Sequence, residues 1–201
     1  MSETNTIRKS AGQVTIRIIS QLENDAHKAA NLARLRNSIG KPLSDAGDVW
    51  PILLANIPSE FLSRNGKETK EESAVFTALQ LYAMCMQGSS SVISDSSYEH
   101  SVGASLRSGR KADDSEALDR RFNALITADT YAEMTHHLRQ LLKIVKSKYV
   151  MTVNFGRLAN DLYNWQKGYR RSVCFRWAQD YYANINDQQE NNLNKEESTN
   201  D

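Results

Sequence analysis

Apolar side chains recur at three- and four-residue intervals along most of this chain, the spacing of helices buried on one face. From about Val14 to Ser38, one stripe is formed by Ile18, Leu22, Ala26, Ala29 and Ala33. Gly40-Lys41-Pro42 then predicts a stop, with Gly close behind the last turn and Pro just beyond. A short helix is predicted from Asp48, with Pro51 in its first turn and Pro58 closing it. Arg64 to Lys70 reads as a polar loop. Glu71 to Gln87 carries Val75, Phe76, Leu79, Tyr82, Ala83, Met84, Cys85 and Met86, apolar almost all round, which predicts a central buried helix. The Ser-rich segment Gly88 to Ser101 reads as a flexible connector.

The second half is more regular. Asp113 followed by Glu116 predicts a helix start, with Leu118, Phe122, Leu125 and Ile126 as its stripe. Thr130 and Glu133 form a capping box for a helix burying Tyr131, Met134, Leu138, Leu141, Leu142 and Val145. Val153 to Gln166 places Phe155, Leu158, Ala159, Leu162 and Trp165 on one side, and Gly168 breaks it. Arg170 to Ala183 presents Val173, Cys174, Trp177 and Tyr181. With strand-like alternation absent, the chain reads as all-α, in two helical subdomains. Residues 1–100 form the first, with the connector. Residues 101–185 form the second, an antiparallel four-helix bundle. The acidic, Asn/Gln-rich residues 186–201 are predicted to be disordered.

Composition narrows the function. Forty per cent hydrophobic residues in a chain of 201 supports a packed core. No apolar run approaches the roughly 20 residues that span a bilayer, and the polar start Met1 to Thr6 lacks an apolar signal region, so a cytoplasmic protein is predicted. Cys85 and Cys174 lie inside apolar patterns and are expected to be buried free thiols. The net charge of +1 conceals a division: residues 107–176 hold 14 Lys and Arg against 7 Asp and Glu, residues 1–106 hold 10 against 11, and residues 177–201 hold 1 against 6. A basic helical body of this kind has the charge of a phosphate-backbone binder.

The cations fall into groups. At 100° per residue, His136, Arg139, Lys143 and Lys146 lie within about a quarter-turn, beside the apolar stripe. Such a row can follow a nucleic-acid backbone, although a solvated helix face accounts equally for one row taken alone. Arg107, Arg110 and Lys111 precede the bundle, and Arg120 and Arg121 lie on its first helix. Lys167, Arg170 and Arg171 crowd a helix N-terminus, where cations are unfavourable unless an anion neutralises them. Arg36 ends the apolar face of the first helix, pointing into a groove or snorkelling to water, and Arg34 faces solvent. The candidate nucleic-acid-binding residues are Arg36, Arg107, Arg110, Arg121, Arg139, Lys143, Lys167, Arg170 and Arg171.

Catalytic signatures are missing from the sequence: HExxH, CxxC, Walker and GxGxxG motifs do not occur. His136 and His137 face different ways on a helix and do not share a metal. Asp113 and Asp114 read as helix caps, and Asp161 as a surface ion-pair partner of Arg157. Trp50, Trp165 and Trp177 read as core. A non-enzymatic protein needing neither cofactor nor metal is predicted.

The runs 120–126 (RRFNALI), 128–129 (AD), 137–142 (HLRQLL), 155–165 (FGRLANDLYNW) and 176–182 (RWAQDYY) resemble, in order and spacing, the CasB family, the small subunit of the type I-E CRISPR surveillance complex Cascade. Leu32 to Arg36 is similar to that family's N-terminal basic signature, and Gly103 to Leu106 to its approach to the second domain. The resemblance covers roughly residues 14–183 and departs at Thr127, near which members often carry a further basic residue. It implies an all-helical, two-subdomain protein without catalytic activity. Two head-to-tail copies would lie along the belly of the complex, touching CRISPR RNA, target DNA and the displaced strand. The alternatives are a helical protein–protein scaffold whose basic face meets acidic partners, and a stand-alone DNA-binding regulator working as a symmetric dimer.

Overall fold

The protein is described from a computed structural model covering residues 9–88, 90–110 and 115–183. Helix α4 (Lys70–Cys85) is the element around which the others gather. Its start is a reciprocal cap: Thr69 Oγ1 accepts from the Glu72 amide at 3.1 Å, and Glu72 Oε2 accepts from the Thr69 amide at 2.8 Å. Its apolar circumference is buried as the sequence predicts. Helices α1 (Ala11–Glu23) and α8 (Phe155–Asn164) pack on each other and both on α4. Helices α2 (Lys28–Asn37) and α7 (Tyr131–Lys148) also lie against α4. On the other side, α6 (Ser115–Thr127) packs on α7, and α5 (Val102–Arg107) on α9 (Arg170–Tyr182). The buried apolar residues form one connected core.

Several expectations are corrected. The first helix is two helices, broken at Asn24 to His27. The Asp25 carboxylate accepts from the His27 amide at 2.7 Å and from Asn31 Nδ2 at 2.9 Å, local bonds that compete with helical ones. Ala26 and Ala29 are therefore exposed, and α2 buries Asn31, Leu32 and Leu35 instead. The short helix is α3 (Trp50–Leu53), preceded by 3₁₀ turns at Leu43–Asp45 and Gly47–Val49. Trp50 is not core: its ring is exposed, with Nε1 donating to the Leu43 carbonyl at 2.8 Å.

The Ser-rich segment is not a loose connector. Within it β1 (Val92–Ser94) pairs in parallel with β2 (Met151–Val153), Val92 opposite Met151. Ser91 Oγ donates to the Lys146 carbonyl at 2.8 Å, and Asn154 Nδ2 donates to the carbonyls of Ser96 and Tyr98, each at 2.9 Å. Three-residue strands are too short to show as alternation.

The helical fold class holds, but the four-helix bundle is not confirmed. Helix α6 touches α7 and α9, whereas α8 takes α1 and α4 as its main neighbours. Its stripe of Phe155, Leu158, Ala159 and Leu162 continues the α4 core, with Phe155 meeting Tyr82 edge to face at 5.3 Å. Helix α9 is seated by α5, where a Cβ on Gly103 would lie 2.0 Å from the Trp177 carbonyl oxygen. The break predicted at Gly168 is present: its φ of +98° ends a π-type turn, Trp165–Tyr169, before α9 begins. Asp113, Lys111 and the tail 186–201 lie outside the described residues. Among the described residues no helix is long and apolar enough to cross a membrane.

Candidate nucleic-acid interface

The candidate cations separate into zones, each set by packing between helices distant in sequence. The first lies where α2 ends, α4 ends and α7 passes. Lys146 Nζ donates to the carbonyls of Met84, Cys85 and Gln87 at 2.9, 3.3 and 3.0 Å. Arg36 reaches the adjacent Ala83 carbonyl at 3.4 Å. The last carbonyls of a helix have no partners within it and carry the negative end of its dipole, so cations from two neighbours close α4. Arg36 is thus directed at a helix end.

Two turns back along α7, Arg139 Nη2 lies 3.2 Å from His136 Nδ1. Its other amino group reaches the Gly40 turn, where a Cβ would stand 3.9 Å away. Arg139, His136 and Lys41 rim a recess floored by Phe76, Thr77 and Gln80. Lys143 projects outward between Arg139 and Lys146. Lys41, which the sequence marked only as part of a helix stop, belongs to this zone; no sequence signal placed it beside α7.

The second zone is the corner where α9 begins. Arg170 donates to Asp129 Oδ1 at 3.0 Å and to the Thr127 carbonyl at 2.9 Å, and its guanidinium lies 5.7 Å from the Trp165 ring centre. Arg171 is exposed and lines an open groove with Ile126, Tyr169 and Ser172. Lys167 is exposed beside the Tyr163 ring.

The third zone is the far end of α9. Arg110 grips Asp119 with two bonds, at 2.9 and 3.1 Å, and lies over the rings of Tyr181 and Tyr182. Tyr181 donates to the same carboxylate at 2.8 Å. Burial pushes Asp119 toward neutrality, but the Arg110 and Tyr181 bonds outweigh it and hold the carboxyl below the usual range. Arg110 is correspondingly held up, first by its bond to Asp119. Its planar fork is therefore spent inside the fold. Arg107 reaches the Ala183 carbonyl at 3.5 Å.

Two residues stand apart. Arg121 donates to the Ala117 carbonyl of its own helix at 3.0 Å and lines a groove with Ile144 and Lys148, on the opposite flank of α7 from Arg139. Arg120 pairs with Glu116 at 2.6 Å. The expected Asp161–Arg157 pair is corrected: Asp161 is 4% exposed and accepts from Arg176 and from Trp177 Nε1, both at 2.8 Å. It staples α8 to α9. Among the described residues no carboxylate pairs with Arg139, Lys143, Lys167 or Arg171.

Both thiols are buried and unpaired, and burial pushes Cys85 up to about 12 despite the nearby Lys146 charge. Among the described residues no three His, Cys, Asp or Glu side chains gather as a metal site.

Comparison with known proteins gives a family match. The family model described as CRISPR-associated protein Cse2 matches residues 31–182. A Cse2-family CRISPR-associated protein from Thermus thermophilus has a similar structure, with TM-score 0.66 and 23% identity, over 88% of this chain and 100% of that one. CasB from M. ruber matches with TM-score 0.65 and 21% identity, covering 96% and 100% of the two chains. CasB from Thermobifida fusca gives 0.61 and 22%, covering 86% and 96%. At these identities the likeness to the solved structures speaks for the fold. No curated protein sequence matches.

Proposed function

Because the chain belongs to the Cse2 family of CRISPR-associated proteins, we propose that it is the non-catalytic small subunit of a type I-E Cascade complex that holds nucleic-acid backbones without reading bases. Its partners are the other Cascade subunits, a second copy of itself, CRISPR RNA and both strands of target DNA. Sequence choice is left to base pairing, and exchange of one duplex for another is nearly balanced, so a few phosphate contacts on the displaced strand suffice to favour the R-loop.

The observation that carries this reading is the division among the cations. Arg110, Arg120, Arg170 and Arg176 are neutralised by carboxylates within the fold, whereas Arg139 and Lys143 on α7, Lys167 in the turn before α9 and Arg171 on α9 have none among the described residues. Unneutralised cations on a net-positive body repel one another, and an anionic chain removes that cost. Arg139, Lys143, Lys167 and Arg171 are the principal backbone contacts, with Arg36, Arg107 and Arg121 at their margins.

The test is target capture by the assembled complex carrying Arg139→Ala with Arg171→Ala, over a range of salt. Capture weakens, sequence preference is unchanged, and the log–log salt slope falls by about 0.9 per lost duplex phosphate, or about 0.7 on a single strand. Full capture with an unaltered slope overturns the proposal.

A further inference from the structure

The loop that leads into α4 holds the one Asn-Gly step of the chain: of nine glycines, only Gly66 follows an asparagine. Asn65 and Gly66 are both exposed, at the tip of residues 63–69. The two ends of that loop are tied to a single carboxylate. Glu72 Oε1 accepts from the Ser63 amide at 3.0 Å, and Glu72 Oε2 from the Thr69 amide at 2.8 Å. Asn65 is thus presented to solvent from a fixed base.

The Asn65 side chain is folded back on its own backbone. Its Oδ1 accepts from the Lys67 amide at 3.1 Å and from Ser63 Oγ at 3.3 Å. The first bond closes an Asx turn, a ring that includes the Gly66 nitrogen and brings the side-chain carbon Cγ round toward it. That nitrogen is unencumbered. Its N–H donates to no group among the described residues. Nothing lies within 4 Å of the place where a Cβ would stand on Gly66, and its φ of +77° is one that glycine adopts readily.

A free backbone amide beside a polarised side-chain amide is arranged for attack. Negative charge builds on Oδ1 as a nucleophile adds to Cγ, and two donors already point at that oxygen. Arg64 and Lys67, on either side in the sequence, favour the deprotonated nitrogen that attacks. Elsewhere the backbone withholds the nucleophile. Asn31, Asn37, Asn123, Asn160 and Asn164 lie in helices, where the following amide is engaged in the helical ladder.

We infer that Asn65 is a site of spontaneous deamidation, a self-modification whose co-reactant is water. The Gly66 nitrogen, its proton taken by hydroxide, forms a bond to Cγ. The Cγ–Nδ2 bond breaks, and Nδ2 takes up a proton and leaves as ammonia. The cyclic imide then adds water at one of its two carbonyls and reopens as isoaspartate or aspartate. A neutral side chain becomes a carboxylate on a chain of formal net charge +1. The isoaspartate product also inserts a methylene into the main chain, a change that the Ser63 and Thr69 bonds to Glu72 confine to the loop tip.

The test incubates the full chain in native buffer and, in parallel, unfolded in urea, from mildly acidic to mildly alkaline pH. Peptide mapping by mass spectrometry follows the mass gain of deamidation, and isoaspartyl methyltransferase labelling reports the rearranged product. The peptide holding Asn65 gains mass at least as fast in the native protein as in urea, and faster as pH rises. Asn65→Gln, a surface change that leaves the fold intact, loses the labelling. Ser63→Ala slows the native reaction, because one of the two donors to Oδ1 is gone. A native rate several-fold below the rate in urea overturns the inference, since the fold would then protect Asn65. Labelling that persists undiminished in Asn65→Gln overturns it equally, because the modified residue would lie elsewhere.

Discussion

Replacing Lys146 with Met separates a structural cation from its functional neighbours. Sequence periodicity groups Lys146 with Arg139 and Lys143, yet its ammonium sits against three carbonyls at the end of α4, at 2.9, 3.3 and 3.0 Å. Met keeps most of the apolar stem and removes the donor. A hydrogen bond to a charged group contributes about 1.5–3 kcal/mol, and a cation at a helix C-terminus about 0.3–1 kcal/mol. The site is part-exposed, so water recovers much of what three bonds supply, and the net loss is close to that of one charged bond with its dipole term, about 2–3 kcal/mol. For a chain of this size that lowers the midpoint of thermal unfolding by roughly 5–10 °C. Calorimetry of wild type and variant at equal pH and salt measures the shift. Oligonucleotide binding by the same samples below the transition keeps its salt slope. A variant that melts with the wild type but has a shallower salt slope refutes the reasoning, because Lys146 would then be spending its charge on phosphate.

Gly103→Ala forces a Cβ to within 2.0 Å of the Trp177 carbonyl oxygen. It costs about 3 kcal/mol or more by overpacking, seen as a lower urea midpoint at unchanged m-value. Asp119, held below the usual carboxylate range against its burial by Arg110 and Tyr181, contributes stability that is complete above the unfolded value of about 3.9 and is lost as pH falls through the lower folded value. Asp119→Asn is therefore less stable than wild type at neutral pH and loses less stability on acidification below pH 4; parallel acid-unfolding curves contradict this. With burial pushing the Cys85 thiol up to about 12, a thiol reagent at pH 8 modifies it only as fast as the protein opens. Rapid stoichiometric labelling of Cys85 in the native protein is the contrary result.

Periodicity and caps were enough to locate most helices here, because which side of a helix is buried is a local property. The stripes of α4, α6, α7, α8 and α9 are buried largely as the sequence predicts, and Thr130 and Gly168 mark ends that it predicts, whereas the cap Thr69 lies in what reads from sequence as a polar loop. The break at Asn24 to His27 was written in side chains that bond their own backbone, yet the alanines beyond it prolonged the apolar pattern. The strands were too short to register, and their pairing joins residues nearly sixty positions apart.

The concentration of positive charge in residues 107–176, and the absence of catalytic motifs from the sequence, were legible in composition alone. What each cation does was not. Arg110 and Arg170 look like their neighbours along the chain, but Asp119 and Asp129 come to them through packing. Lys146 and Arg36 meet the end of α4 only because α7 and α2 flank it. A helix declares by itself which face turns inward; the partner of that face, and whether a charge at its edge finds a carboxylate, a carbonyl or open water, depends on contacts between distant segments that only folding makes.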